Sequence, residues 1–225
     1  MKNDLDQLVS NITNSSHFQK LKTIIENNPY HDNESVYDHL IKTYKTAKQA
    51  LKGTYIKSRE AKKEFENFLK APVGNITMHD ALALTALLHD IGKILVYEDS
   101  GKQVSINSLK PDGKTQCAGH EYLGSTILET FVNDIPLDET AKKHITSGIR
   151  LHDTFNETYF HTKENWPIEI LVSDVKARAE GLHKEMLFNI YCDCSTAKPF
   201  QFALPLIETL FNQPELYAER KYFVI

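Results

Sequence analysis

The stretch Thr77-Met-His-Asp-Ala-Leu-Ala-Leu-Thr-Ala-Leu-Leu-His89-Asp90-Ile-Gly-Lys93 decides how the chain is read. From Ala81 to Leu88 it is apolar on nearly every side of a helix, broken only by Thr85, which is the pattern of a fully buried helix. Thr77 stands where that helix needs an N-cap. The helix runs directly into His89 and Asp90. Burying an imidazole and a carboxylate side by side is costly unless each has a strong partner, and a divalent cation satisfies both at once. Adjacent helical residues point about 100° apart, so the two side chains can grip an ion over the ridge between them. Lys93 follows Asp90 by three residues, so a continuing helix projects its ammonium over the same face. A cation beside a metal site points to an anionic substrate, most simply a phosphate.

Outward from this core the chain reads as helices. Ser35-Val-Tyr-Asp38 is a capping-box pattern, and little Gly or Pro follows through Leu69 until Ala71-Pro72. One long helix, or two broken near Gly53, is expected there. After Gly92 the pattern changes through Val104-Ser105-Ile106 and Lys110-Pro111-Asp112-Gly113, which predicts a small hairpin or irregular loop inserted near 101–118. Helical spacing resumes with Tyr122, Leu123, Ile127, Leu128 and Phe131, then from about Leu137 to Leu151, from Pro167 to about Leu182, and from Leu204 to Phe211. About seven or eight helices with one minor hairpin make the fold class all-α. The expected organisation is an N-terminal helical extension over 1–34, a main domain over 35–183 and a C-terminal helical tail over 184–225, packed on the body through Tyr217, Tyr222 and Phe223.

Composition bounds the alternatives. A chain of 225 residues with 41% hydrophobic and 25% charged residues has the make-up of one compact folded domain with short additions, not of a disordered or fibrous chain. The net charge of −4 does not predict nucleic-acid binding. Met1 to Ser16 is polar and lacks the apolar core of a secretory signal, and Ala81 to Leu88 falls far short of the roughly 20 residues of a membrane span. No membrane association is expected. Cys117, Cys192 and Cys194 fit neither a disulfide framework nor a zinc knuckle, so free thiols in a reduced, cytoplasmic setting are the default. A basic ridge, Lys42, Lys45, Lys48 and Lys52, is either the solvated face of a long helix or a track for a polyanion such as RNA.

Further residues now fall into a pattern. His39 lies in Ser-Val-Tyr-Asp-His-Leu, His89-Asp90 in Leu-Leu-His-Asp-Ile-Gly-Lys93, His120 in Gly-His-Glu, His152 in Ile-Arg-Leu-His-Asp, and Asp174 in Leu-Val-Ser-Asp-Val-Lys-Ala-Arg178. In this order the five elements resemble the HD-domain metal-dependent phosphohydrolases, over residues 35 to about 180. The resemblance implies a helical bundle in which His39, His89, Asp90 and Asp174 hold one divalent cation. Where two ions bind, it implies that Asp90 bridges and that His120 and His152 hold the second. His144 competes with His152 for that place, since one sequence does not fix the helix register. Two imidazoles and two carboxylates suit Mn, Fe, Co, Ni or Zn, with Mg less natural. Asp90 and Lys93 are the expected catalytic groups, with Lys93 on the phosphate and Arg178 returning to the site one turn after Asp174. His31, His79, His161 and His183 are expected at the surface, in caps or in loops.

Departures from family patterns narrow the substrate. His89-Asp90 is followed by Ile-Gly-Lys, not by the Glu-Asp pair of guanosine tetraphosphate hydrolases or the Pro-Glu of bacterial 5′-deoxynucleotidases, and the Gly-Tyr-Pro of cyclic-di-GMP phosphodiesterases appears nowhere. The remaining pattern is similar to the HD domain of bacterial tRNA nucleotidyltransferases, here without a nucleotidyltransferase part. The expected activity is a phosphodiesterase or phosphatase on a nucleotide or RNA-end phosphate. A non-catalytic HD module binding a nucleotide or partner protein, and a structural helical protein, are the alternatives. The tail is expected to cover the cleft or a homodimer surface.

Overall fold

In the computed structural model, residues 5–94, 96–99, 102–105, 108–109, 115–117, 119–131, 135–179 and 181–218 are described. The class is all-α. The helices are α1 (Leu5–Asn14), α2 (Ser16–Lys20), α3 (Val36–Ala50), α4 (Arg59–Lys70), α5 (Met78–Leu88), α6 (His120–Phe131), α7 (Glu139–Leu151), α8 (Glu157–Lys163), α9 (Ile168–Arg178), α10 (His183–Cys194) and α11 (Leu204–Phe211). Among the described residues four antiparallel strand pairs stand between them: β1 (Ile25–Asn27) with β2 (Asp32–Ser35), β3 (Pro72–Val73) with β4 (Ile76–Thr77), β5 (Val96–Asp99) with β6 (Lys102–Ser105), and β7 (Ser108–Leu109) with β8 (Thr115–Gln116). Among the described residues no helix is long and apolar enough to cross a membrane.

The central helix is α5. Thr77 and Asp80 close a reciprocal capping box at its start, and every residue from Ala81 to Leu88 is buried. It packs against α3, α4, α7 and α10. Leu84, Leu87 and Leu88, each no more than 2% exposed, contribute about 1.5–3 kcal/mol apiece by leaving water. Ser35 caps α3 as its sequence predicts, its Oγ accepting from the Asp38 amide. Of the two expected readings, one long helix or two broken near Gly53, the structure has the second. After Ala50 the chain turns at Gly53, whose φ of +61° places it in the left-handed region that favours glycine, and α4 starts behind its own cap, Ser58.

Several expectations need correction. The N-terminal extension is helical only to Thr23 and then forms the β1–β2 hairpin, which folds back over the end of α5. The insertion contains two hairpins, β5–β6 and β7–β8, while Ile106 and Lys110-Pro111-Asp112-Gly113 lie outside the described residues, as do Tyr222 and Phe223. Tyr217 does pack back on the body, against Phe65. The tail contains α10, a helix buried along most of its length that the sequence reading missed. In the basic ridge, Lys42 and Lys48 are committed to Glu34 and Asp6, as befits a solvated face. All three cysteines are free and buried, and burial pushes the Cys117 thiol up to about 12.

After α5 the chain does not continue as an α-helix. It tightens into a 3-10 turn over Ile91–Ile94, which brings Gly92 against the start of α6. A methyl group on Gly92 would collide with the His120 carbonyl and the Gly124 backbone, neither of which can swing aside. Gly92→Ala is therefore expected to destabilise the fold by about 2–4 kcal/mol in denaturant unfolding, whereas Gly119→Ala, where a methyl group meets open space, costs only the backbone strain of its positive φ.

Candidate metal centre

Five helix ends converge on one place. His39 comes from the first turn of α3 and His120 opens α6, while His89, His152 and Asp193 stand at the C-terminal ends of α5, α7 and α10. Three C-terminal ends bring three partial negative charges, a setting that favours a cation by about 0.3–1 kcal/mol per helix. His39, His89, Asp90 and His152 are each at most 3% exposed, and His120 is 9% exposed.

The ring orientations are fixed by the backbone. Nδ1 of His89 donates to the Ala86 carbonyl at 3.0 Å, Nδ1 of His120 to Cys117 at 2.6 Å, and Nδ1 of His152 to Ile149 at 2.7 Å. A carbonyl only accepts, so the proton belongs on Nδ1 and the neutral ring's lone pair sits on Nε2. Those Nε2 atoms point at one another. His39 and His89 approach to 3.3 Å, and His120 and His152 to 3.0 Å. Bare lone pairs at that distance repel unless something positive lies between them.

Asp90 stands between the two pairs with one oxygen turned to each. Its Oδ2 is 3.5 Å from His39 Nε2 and 3.4 Å from His89 Nε2, while its Oδ1 is 2.8 Å from His120 Nε2 and 3.6 Å from His152 Nε2. Asp193 completes the first group, its Oδ1 lying 3.1 Å from His39 and 3.8 Å from His89. Ligand bonds of about 2.0–2.2 Å put neighbouring donors about 3.0–3.5 Å apart, the spacing seen here. The groups His39, His89, Asp193 and Asp90, His120, His152 could each hold a metal ion.

Charges around the centre are balanced through Lys93. Its ammonium bonds both Asp90 Oδ2 and Glu26 Oε2 at 2.9 Å, with all three side chains at most 7% exposed. Burial opposes ionisation of Asp90, but Lys93, His89 and His120 outweigh it and hold the carboxyl well below the usual carboxylate range. Burial likewise opposes a charge on Lys93, and the two carboxylates outweigh it and keep the ammonium protonated. In the bare protein burial lowers His152, yet Asp153 and Asp90 carry it up to about 9.

The structure brings together His39, His89, Asp90, His120, His152 and Lys93, all expected at the site. It does not bring Asp174 or Arg178. Asp174 accepts from the Tyr159 hydroxyl at 3.0 Å and from Arg178 Nε at 2.8 Å, on α9 and away from the cluster. Arg178 is half exposed and paired there. The fourth position beside His39 and His89 belongs to Asp193. A carboxylate between two buried cysteines, one and two turns after Asn189 and Glu185 on an otherwise apolar helix, was the available signal.

His31 is a second omission. It is buried, stacks edge-on against His39 at 4.4 Å between ring centroids, and lies 3.6 Å from Glu26. Burial first, then His39 and Lys93, lower its pKa and keep it neutral. His183 is buried too, within bonding reach of the Leu216 carbonyl, while His161 is exposed and His79 half-exposed in the first turn of α5. His144 lies two turns before His152, in the middle of α7 beside Glu185, so His152 is the histidine of that helix at the cluster.

A cavity of about 600 Å3 opens onto the cluster, lined by Asp90, Lys93, His120, His152, Tyr30 and Phe200 among others. Tyr30, from the β1–β2 turn, bonds Glu157 of α8 across its mouth. No protein family, no curated protein and no solved structure matches the chain.

Asp193→Ala is expected to weaken divalent metal binding by about 100-fold or more, and Asp174→Ala to leave it unchanged. Metal retained after dialysis, measured by inductively coupled plasma mass spectrometry on both variants, checks this.

Proposed function

We propose that the protein is a divalent-metal-dependent phosphohydrolase acting on a small phosphate ester, of nucleotide size, at the floor of this cavity. The observation that carries the reading is the convergence of four histidine Nε2 atoms on both oxygens of one buried aspartate. His39, His89, Asp90 and Asp193 would hold one ion, and Asp90, His120 and His152 a second. The donors fit Mn, Fe, Co, Ni or Zn, with Mg the poorer match for so many nitrogens.

When bound, such an ion polarises a phosphoryl oxygen and lowers the pKa of water. The chain's own residues do the rest. Hydrogen bonds from Nδ1 to the carbonyls of Ala86, Cys117 and Ile149 hold three rings in one orientation, so no reorganisation is needed when charge develops. Asp90 keeps the two donor groups in register. Lys93 keeps Asp90 ionised and places a positive charge beside the entering phosphate, two of its three N–H donors being taken by carboxylates. A cavity of about 600 Å3 lies in the range that encloses small molecules, which favours a nucleotide-sized ester over an RNA end.

The test is hydrolysis of bis-p-nitrophenyl phosphate and p-nitrophenyl phosphate with Mn, Co, Ni and Mg added separately. Metal-dependent turnover is expected, falling by about 100-fold or more in Asp90→Ala and His120→Ala. Bound metal without turnover of these or of nucleoside phosphates overturns the hydrolase reading in favour of a binding module.

A further inference from the structure

The cluster is the top of a taller polar structure. One turn below it on each of four helices stands a small or polar residue: Thr43 below His39, Thr85 below His89, Asn189 below Asp193 and Gly148 below His152. One turn lower again, Glu185 and His144 face each other, His144 Nε2 lying 3.6 Å from Glu185 Oε1. Helix α3 runs away from the cluster and α5, α7 and α10 run towards it, so these steps stack into one column through the core. Gly148 faces Thr85 directly, since a methyl group there would lie 3.0 Å from the threonine side chain.

The column is buried and short of partners. Thr43 is 0%, Thr85 4%, Asn189 2% and Glu185 6% exposed. Thr43 Oγ1, both amide atoms of Asn189 and Glu185 Oε2 have no hydrogen-bond partner among the described residues. Four such atoms in one place are rare in a folded core, where buried polar groups are bonded to protein or to ordered water. Gly148 brings no side chain that could bond them. Water is the small donor and acceptor that satisfies every one of these atoms. Burial also raises Glu185 to about 7, outweighing its own backbone N–H and Lys184, and burial lowers His144, the titratable group facing it from α7.

We propose that Thr43, Asn189 and Glu185 hold a file of ordered waters running from the back of the His/Asp cluster to His144, a second route to the cluster that does not pass through the cavity. The file itself does not depend on a bound metal. Its use in catalysis rests on the hydrolase reading. As the O–P bond forms, the attacking water's proton leaves along the file to the Glu185 carboxylate, which passes it to bulk at His144. The leaving alkoxide takes a proton from the cavity side.

A high-resolution crystal structure of the metal-loaded protein is expected to show waters bonded to Asn189 and Glu185 Oε2. Asn189→Leu is then expected not to raise Tm, because it expels bonded water. Absent water density together with a higher Tm in Asn189→Leu overturns the file, since a dry unpaired amide would be relieved by leucine. For the proton route, Thr85→Val/Asn189→Leu is expected to keep the wild-type metal content and lower kcat by about tenfold, most above about pH 7, where Glu185 is ionised and takes the proton. Waters present with unchanged kcat and pH profile overturn the route while wild-type turnover keeps the hydrolase reading intact.

Discussion

Everything near the centre of this protein depends on the ion pair between Asp90 and Lys93. A carboxylate and an ammonium taken out of water each cost several kcal/mol, and only close pairing recovers that cost. Lys93 reaches two carboxylates at once, Asp90 and Glu26, and so ties the end of α5 to the β1–β2 hairpin. The 3-10 turn that places Lys93 there also presses Gly92 onto α6 and sets His120 beside Asp90. A single short motif thus fixes three separate parts of the chain.

The pair does not close the charge balance. Glu26, Asp90 and Asp193 bring three carboxylates to the centre against one ammonium, leaving two negative charges for the surrounding rings to offset. Protons offset part of this in the bare protein: His39 is raised, burial being outweighed by Asp193 and Asp90, and His152 is raised to about 9. A dication does the same without protonating the rings that would bind it. Protons and a metal ion would therefore compete for the same nitrogens, and affinity for the ion would fall as the solution becomes acidic.

Much of this was legible in the sequence because it is local. The uninterrupted apolar run from Ala81 to Leu88 identified α5, and Ser35 and Thr77 marked helix starts that the structure has. His39, His89, Asp90, His120, His152 and Lys93 were each singled out by neighbours within a few residues. What escaped was set by distance and register. Asp174 and Asp193 are both carboxylates among apolar residues, and only packing distinguishes them: α9 turns Asp174 to Tyr159 and Arg178, whereas α10 runs along α3 and α5 and carries Asp193 to His39. Glu26 and His31 reach the centre from a hairpin whose strands, of three and four residues, carry too little alternation to be read. The splitting of the long helix at Gly53 was open in the sequence and was decided by a left-handed turn.

Anomalous diffraction from crystals grown with Mn tests the central claim most directly. The account predicts a peak between His39, His89 and Asp193 and, at full loading, a second between His120 and His152, the two about 3.5–4 Å apart with Asp90 between them. Crystals that take up Mn only elsewhere, or show no peak within reach of Asp90, would contradict it.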